Sequence, residues 1–149
     1  MRLAPDASPH AVLAAGREVL HQQSFSRLLG TELTAFSRGR AELQLPLRPD
    51  HQQQSGFAHG GVVSYLADNA LTFAGGSALD GNALTSEFKI NYVRPAVGER
   101  LIARASCIHA GRNQAVSRCE IYAVAADGAE KLCAVAQGTI VRILDSSQG

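Results

Sequence analysis

The segment His59 to Ala74, which reads HGGVVSYLADNALTFA, most constrains what this chain can fold into. Val62, Val63, Leu66, Ala67, Ala70, Leu71 and Phe73 occupy most of a helical circumference. A helix apolar nearly all round belongs in an interior, so the rest of the chain must enclose it. One acid, Asp68, interrupts it. Burying an unpaired carboxylate is costly, and no Lys or Arg stands three or four residues away to offset its charge. Asp68 is therefore a candidate functional group, weighed against a carboxylate that caps a loop or faces a wet interface.

The flanking patterns say what does the enclosing. Ser8 and Pro9 open a helical segment over residues 11–20, with Ser8 at the N-cap and Pro9 in the first turn. Phe25 to Gly30 reads as a short turn closed by glycine. Residues 31–47 read as strand, with Gly39 as a bulge or turn. Beyond it Ala41, Leu43, Leu45 and Leu47 alternate with Arg40, Glu42, Gln44 and Pro46. A polar loop over residues 50–58 feeds the central helix, whose end is predicted at Gly75-Gly76. From residue 83 the period changes to two. Strands are predicted over 85–93, 100–109, 114–124 and 131–143, with tight turns at 110–113 and 127–128 that favour antiparallel hairpins. Leu132 to Ala136 is apolar on both faces, which suits a strand covered on both sides or set at a subunit contact. The expected architecture is α+β: an antiparallel sheet wrapped around one long helix. Residues 1–28 form an N-terminal helical segment, 29–144 the main domain and 145–149 a tail.

A chain of 149 residues with 46% apolar and 18% charged residues suits a single folded domain. A net charge of +1, without basic runs interleaved with aromatics, leaves no footprint for nucleic acid. No apolar stretch is long enough to span a bilayer. The start, MRLAPD, makes a poor signal peptide, so the expected location is cytoplasmic. Cys107, Cys119 and Cys133 are odd in number and form no Cys-x-x-Cys pair, and each reads as a small hydrophobe in a strand. His51 and His59 lack the spacing and company of a metal site, and no Gly-x-Ser-x-Gly elbow is present.

Gly60-Gly61 at the head of the central helix offers unpaired N–H groups at a positive helix end, where an anion or a developing oxyanion is stabilised. His59 stands beside it, and Ser64 and Thr72 lie one turn either side of Asp68. Gly60 and Asp68 are eight residues apart on one helix, or about 12 Å at 1.5 Å per residue. One reacting carbonyl cannot touch both. If both serve one reaction, they come from two antiparallel helices, as a two-fold dimer supplies.

The residues GFAHGG (56–61), LAD (66–68) and FKINYVRPA (88–96), with Gly98-Glu99, resemble the hotdog-fold acyl-CoA thioesterases of the PaaI (phenylacetate pathway) type. The resemblance runs from about Leu29 to Ile143. It implies a curved antiparallel sheet around a central helix, dimerised and often paired again as a tetramer, with acyl-CoA as substrate and no cofactor or metal. Carried over by resemblance, the Gly60 N–H polarises the thioester carbonyl and His59 holds that oxygen or the loop. Asp68 of the partner chain is general base or nucleophile, and Thr85 stands near the attacking water. Gln53 occupies a position where many members carry Asn, with Gln52 as an adjacent competitor. Expected on the substrate are Gly61, Phe57, Tyr65 and Thr72. Ala70, Leu71, Phe73, Ala74, Gly75 and Gly76 line an acyl or aryl tunnel or the core. Arg94 and Arg112, with Arg118 and Lys89 behind them, are the cations available for CoA phosphates. The expected activity is hydrolysis of a medium-chain or aryl acyl-CoA. A non-catalytic acyl-CoA binding or sensing protein is the alternative, against which the retention of Asp68 with Gly60 weighs. A hydratase would carry an Asp/His pair in a different motif, which is absent.

Overall fold

Period-two alternation builds one sheet in the computed structural model, which describes residues 6–143. The tail expected at 145–149, and residues 1–5 of the start that was read against a signal peptide, lie outside the described residues. Helix α1 (Pro9–Gln22) begins where Ser8 accepts a hydrogen bond from the Ala11 N–H at 3.2 Å. The segment expected as a turn is a short helix, α2 (Ser24–Leu29). Gly30, at φ 73°, closes it in the left-handed region, where its N–H donates to Arg27 O at 3.1 Å. The stretch expected as one strand is a hairpin of β1 (Glu32–Ser37) and β2 (Arg40–Pro46). Gly39 turns it at φ 76°.

A 3-10 turn (Pro49–His51) leads to the central helix α3 (Gly60–Leu79). Its predicted end at Gly75-Gly76 is corrected: the helix continues to Leu79, and Asp80 at φ 56° caps it. These glycines serve close packing instead of termination. A Cβ on Gly75 would lie 2.6 Å from Ile140 Cγ1, and one on Gly76 would lie 3.3 Å from Ala83 Cβ.

Strands β3 (Ala83–Tyr92), β4 (Arg100–Ala110), β5 (Gln114–Val124) and β6 (Glu130–Arg142) complete a six-stranded antiparallel sheet. Its order is β1-β2-β4-β5-β6-β3. The hairpins expected along β4, β5 and β6 form. Strand β3, which precedes them in sequence, pairs with β6 at the far edge. Alternation sends Leu43, Leu45, Leu101, Ala103, Ile121 and Ile140 inward against α3, where all are fully buried. Each large side chain of this kind contributes about 1.5–3 kcal/mol of transfer free energy. Helix α1 docks on β1 at Gly16, where a Cβ would fall 2.6 Å from Leu33 Cδ2 and 2.7 Å from Phe36 Cδ1.

The outer face is polar. There Arg104 bridges Glu42 at 2.8 Å and Glu130 at 2.6 Å, with its guanidinium 5.2 Å from the Tyr122 ring centroid. In the doubly apolar run on β6, Cys133, Ala134 and Ala136 are buried, while Leu132 and Val135 are half-buried. No helix among the described residues is long and apolar enough to cross a membrane.

Candidate active site

Helix α3 is not enclosed on every side. Val63, Leu66, Ala67, Ala70, Leu71 and Ala74 are buried, whereas Val62, Tyr65, Asp68, Asn69 and Thr72 form a half-buried stripe. Asp68 lies on that stripe, so its charge keeps contact with solvent and avoids the full cost of desolvation. The Thr85 hydroxyl donates to Asp68 Oδ1 at 2.6 Å. Thr72 Oγ1 is 2.7 Å from Thr85 Oγ1 and donates back to the Asp68 carbonyl at 2.8 Å. Among the described residues Asp68 forms no ion pair.

A bulge aims Thr85. In the β3–β6 ladder Thr85 faces Ile140 and Glu87 faces Thr139, which leaves Ser86 as an extra residue. The alternation therefore shifts phase. Ala83 and Thr85 on one side of the bulge, and Phe88 and Ile90 on the other, are the less exposed positions of β3. A regular strand would turn one of these pairs outward.

The second cluster sits at the head of α3. His59 is the N-cap, its Nδ1 accepting from the Gly61 N–H at 2.9 Å. This assigns the proton of the neutral ring to Nε2. The Val62 and Val63 N–H groups are taken by the His59 carbonyl at 2.9 and 3.3 Å. Among the described residues the Gly60 N–H meets no acceptor. Gly60 itself lines a cavity of about 400 Å³, together with Gln53, Phe57, Tyr92, Arg94 and Cys133, among others. The Tyr92 hydroxyl donates to the Gly60 carbonyl at 3.0 Å and so ties the helix head to the end of β3.

The remaining candidates divide between these clusters. Gln53 is a turn residue whose Oε1 accepts from the Ser55 N–H at 2.6 Å. Arg94 donates to Leu132 O at 3.0 Å and is exposed at the cavity rim. Tyr65 points to α2 instead: its hydroxyl donates to Ser26 Oγ at 2.6 Å, and its ring packs edge-on against Phe25 at 5.1 Å. Arg112 is exposed on the β4–β5 turn, beside the strand ends at Asn82 and Arg142 and so at the opposite end of the sheet from Tyr92. Of the expected tunnel residues, Ala70, Leu71, Ala74 and Gly75 are core, while Phe73 and Gly76 line a separate groove, together with Thr72, which was expected on the substrate. Sequence reasoning did not single out Tyr92 as a site residue. Its only signal was its place before Arg94-Pro95, because its bond is to a main-chain oxygen.

The cysteines are unpaired. Burial pushes the Cys119 thiol up to about 12 and the Cys133 thiol up to about 11. Desolvation raises Cys107 less. None is an activated nucleophile. Among the described residues no three His, Cys, Asp or Glu side chains cluster as metal ligands.

The chain resembles known proteins across most of its length. Residues 55–127 match the family model described as the thioesterase superfamily. A thioesterase family protein from Silicibacter pomeroyi is 34% identical, with a TM-score of 0.79 over 84% of this chain and 93% of that one. A mutant of the phenylacetic acid degradation protein PaaI from Thermus thermophilus is 31% identical, with a TM-score of 0.70 over 81% of this chain and all of that one (100%). The medium/long-chain acyl-CoA thioesterase YigI of Escherichia coli K12 is 28% identical, covering 75% of this chain and 83% of its own length. This chain belongs to the thioesterase superfamily: it has the hotdog fold, and its family is one of thioester hydrolases.

Proposed function

We propose that this protein hydrolyses medium-chain or aryl acyl-CoA thioesters to the carboxylate and CoA. The observation that carries the reading is a half-open carboxylate, Asp68, held by a hydroxyl donor, on the same helix as one free N–H at Gly60. An acid-base group and an oxyanion donor are what acyl transfer to water requires. The medium-chain class rests on the likeness to YigI, a medium/long-chain acyl-CoA thioesterase, and the aryl class on the likeness to PaaI, a phenylacetic acid degradation protein.

The eight helical steps from Gly60 to Asp68 place them about 12 Å apart. In our reading a second copy of the chain completes the site, so that each carbonyl meets Gly60 of one copy and Asp68 of the other. The open β3 edge, with Leu84 59%, Tyr92 53% and Val93 55% exposed, is the surface where a second copy would add its strand. Asp68 takes a proton from water as the water oxygen bonds to the thioester carbon. The carbonyl electrons move to oxygen and are met by the Gly60 N–H. The C–S bond then breaks, and the thiolate leaves with the proton. In the nucleophilic variant the Asp68 oxygen itself attacks, and water opens the resulting anhydride. Single turnover in ¹⁸O water separates the two: label reaching the Asp68 carboxylate marks the anhydride route.

The test is CoA release from short, medium, long and aryl acyl-CoAs, with wild type and Asp68→Ala in parallel. Turnover by the wild type that collapses in the variant, with the oligomer retained, supports the proposal. Equal rates in both proteins overturn it. Absence of turnover with retained acyl-CoA binding would favour a binding or sensing role.

A further inference from the structure

A second concavity, of about 440 Å³, opens between α1, the C-terminal half of α3 and the start of β3. That volume falls in the range of small-molecule sites. Its apolar part is formed by Val19, Phe36, Phe73, Gly76 and Ala83, and its polar lining includes Thr72, Asn69, Gln22, Gln23, Ser77 and Asn82. Phe36 and Phe73 meet edge to face, with centroids 5.5 Å apart, as a single aromatic surface. The groove exists because Gly16 lets α1 settle directly on Leu33 and Phe36, holding Val19 over the space. Gly76 lines the groove where a Cβ would crowd Ala83 at 3.3 Å, although glycine costs a helix interior about 1 kcal/mol relative to alanine.

The groove adjoins the carboxylate cluster at one shared residue, Thr72. Thr72 lines it, touches Thr85 at 2.7 Å, and Thr85 holds Asp68 at 2.6 Å. We infer that this groove takes the acyl chain of the thioester, with Gly76 and Ala83, beyond Thr72 from the carboxylate, setting the chain length. The inference rests on the thioesterase reading above. Along α3, the nine steps from Asp68 to Ser77 rise about 13.5 Å. An extended hydrocarbon advances about 1.25 Å per carbon, from a bond length near 1.5 Å and an angle near 111°. The groove therefore accommodates roughly eight to twelve carbons.

Two variants narrow the groove from opposite walls without touching the carboxylate cluster: Ala83→Leu on β3 and Val19→Trp on α1. Their folding is checked by circular dichroism. Binding is read by calorimetry with non-hydrolysable thioether analogues of butanoyl-, hexanoyl-, decanoyl- and hexadecanoyl-CoA, and hydrolysis with the matching thioesters. In the wild type, affinity rises up to the decanoyl analogue and then levels off. In either folded variant the decanoyl analogue weakens about tenfold, the equivalent of roughly two methylenes left in water, while the butanoyl analogue stays within about twofold. Unchanged chain-length profiles in the folded variants overturn the inference even if hydrolysis is intact. Chain-length-dependent binding that the variants shorten, without any hydrolysis by the wild type, would instead overturn the thioesterase reading and leave the groove assignment standing.

Discussion

The Asp68 carboxylate has one close hydroxyl donor and no cation beside it among the described residues. Removing the carboxylate charge with little change of shape, by Asp68→Asn, is expected to lower kcat about 10²- to 10⁴-fold, the range associated with a positioned general base. Thr85→Val removes the hydroxyl and keeps the branched shape on β3. It is expected to cost kcat about tenfold or more, the loss of one hydrogen bond to a charged group, and Thr85→Ser should restore most of it. Steady-state kinetics on one medium-chain acyl-CoA checks both, and unaltered kcat in Thr85→Val would remove Thr85 from the machinery. Asp68 was legible in the sequence because a lone acid in an apolar run stands out. Its half-buried setting was not, because which face of α3 the sheet leaves uncovered is a tertiary fact. Buried thiols contribute to the response to alkali, Cys119 with the largest shift and Cys133 with the next. Cys119 has its thiol raised by burial from 9.0 to about 12. The native state thus holds the proton more tightly than the unfolded chain does. That stability is complete below pH 9 and is lost as pH rises toward 12. At about pH 10.5 the loss approaches ~2 kcal/mol. Urea unfolding of the wild type against Cys119→Ala at pH 8 and 10.5 should show the wild type losing more over the interval.

At the scale of elements, close approach explains what composition alone could not. Gly75-Gly76 reads as a helix end from the sequence, because glycine both terminates helices and permits contact, and only the partner surface distinguishes the two. Here the partner is Ile140 on β6, 2.6 Å from where a Gly75 Cβ would be. Gly75→Val is therefore expected to destabilise the fold by about 2–4 kcal/mol through overpacking and displacement of α3 from the sheet. Gly76→Ala meets Ala83 at 3.3 Å, a contact that a small shift relieves, and gains helix propensity. Its change is expected within about 1 kcal/mol. Urea midpoints of the two variants should separate widely, and similar midpoints would contradict this account of the glycines. The β4–β5–β6 meander was legible because short turns force neighbouring antiparallel strands. The position of β3 at the far edge was not, since a long connection leaves its partner open. The Ser86 bulge, which brings Thr85 to Asp68, left no separate mark in the alternation.

The whole molecule presents one helix with a free N–H at its head and a carboxylate two turns along, about 12 Å away. That separation could be read from the sequence, because helical rise is fixed. The identity of the free donor could not, since it depended on His59 taking the Gly61 N–H for its cap. Whether two copies share each site can be decided by mixing inactive variants. Gly60→Pro deletes the proposed donor with little backbone disturbance. Proline is tolerated at the first helical position, and the preceding His59 is already extended at φ -60°, ψ 135°. Its Cβ would meet Tyr92 at 3.5 Å, an ordinary contact. Pure Gly60→Pro and pure Asp68→Ala assemblies each carry two broken sites. In a mixed dimer one site combines both lesions, and the other combines Gly60 from the Asp68→Ala chain with Asp68 from the Gly60→Pro chain. Random exchange at equal amounts makes half of the dimers mixed, each with one working site. Activity should then recover to about a quarter of the wild type. If each site instead drew both groups from one chain, no mixture would contain an intact pair, and activity would stay at the level of the parents.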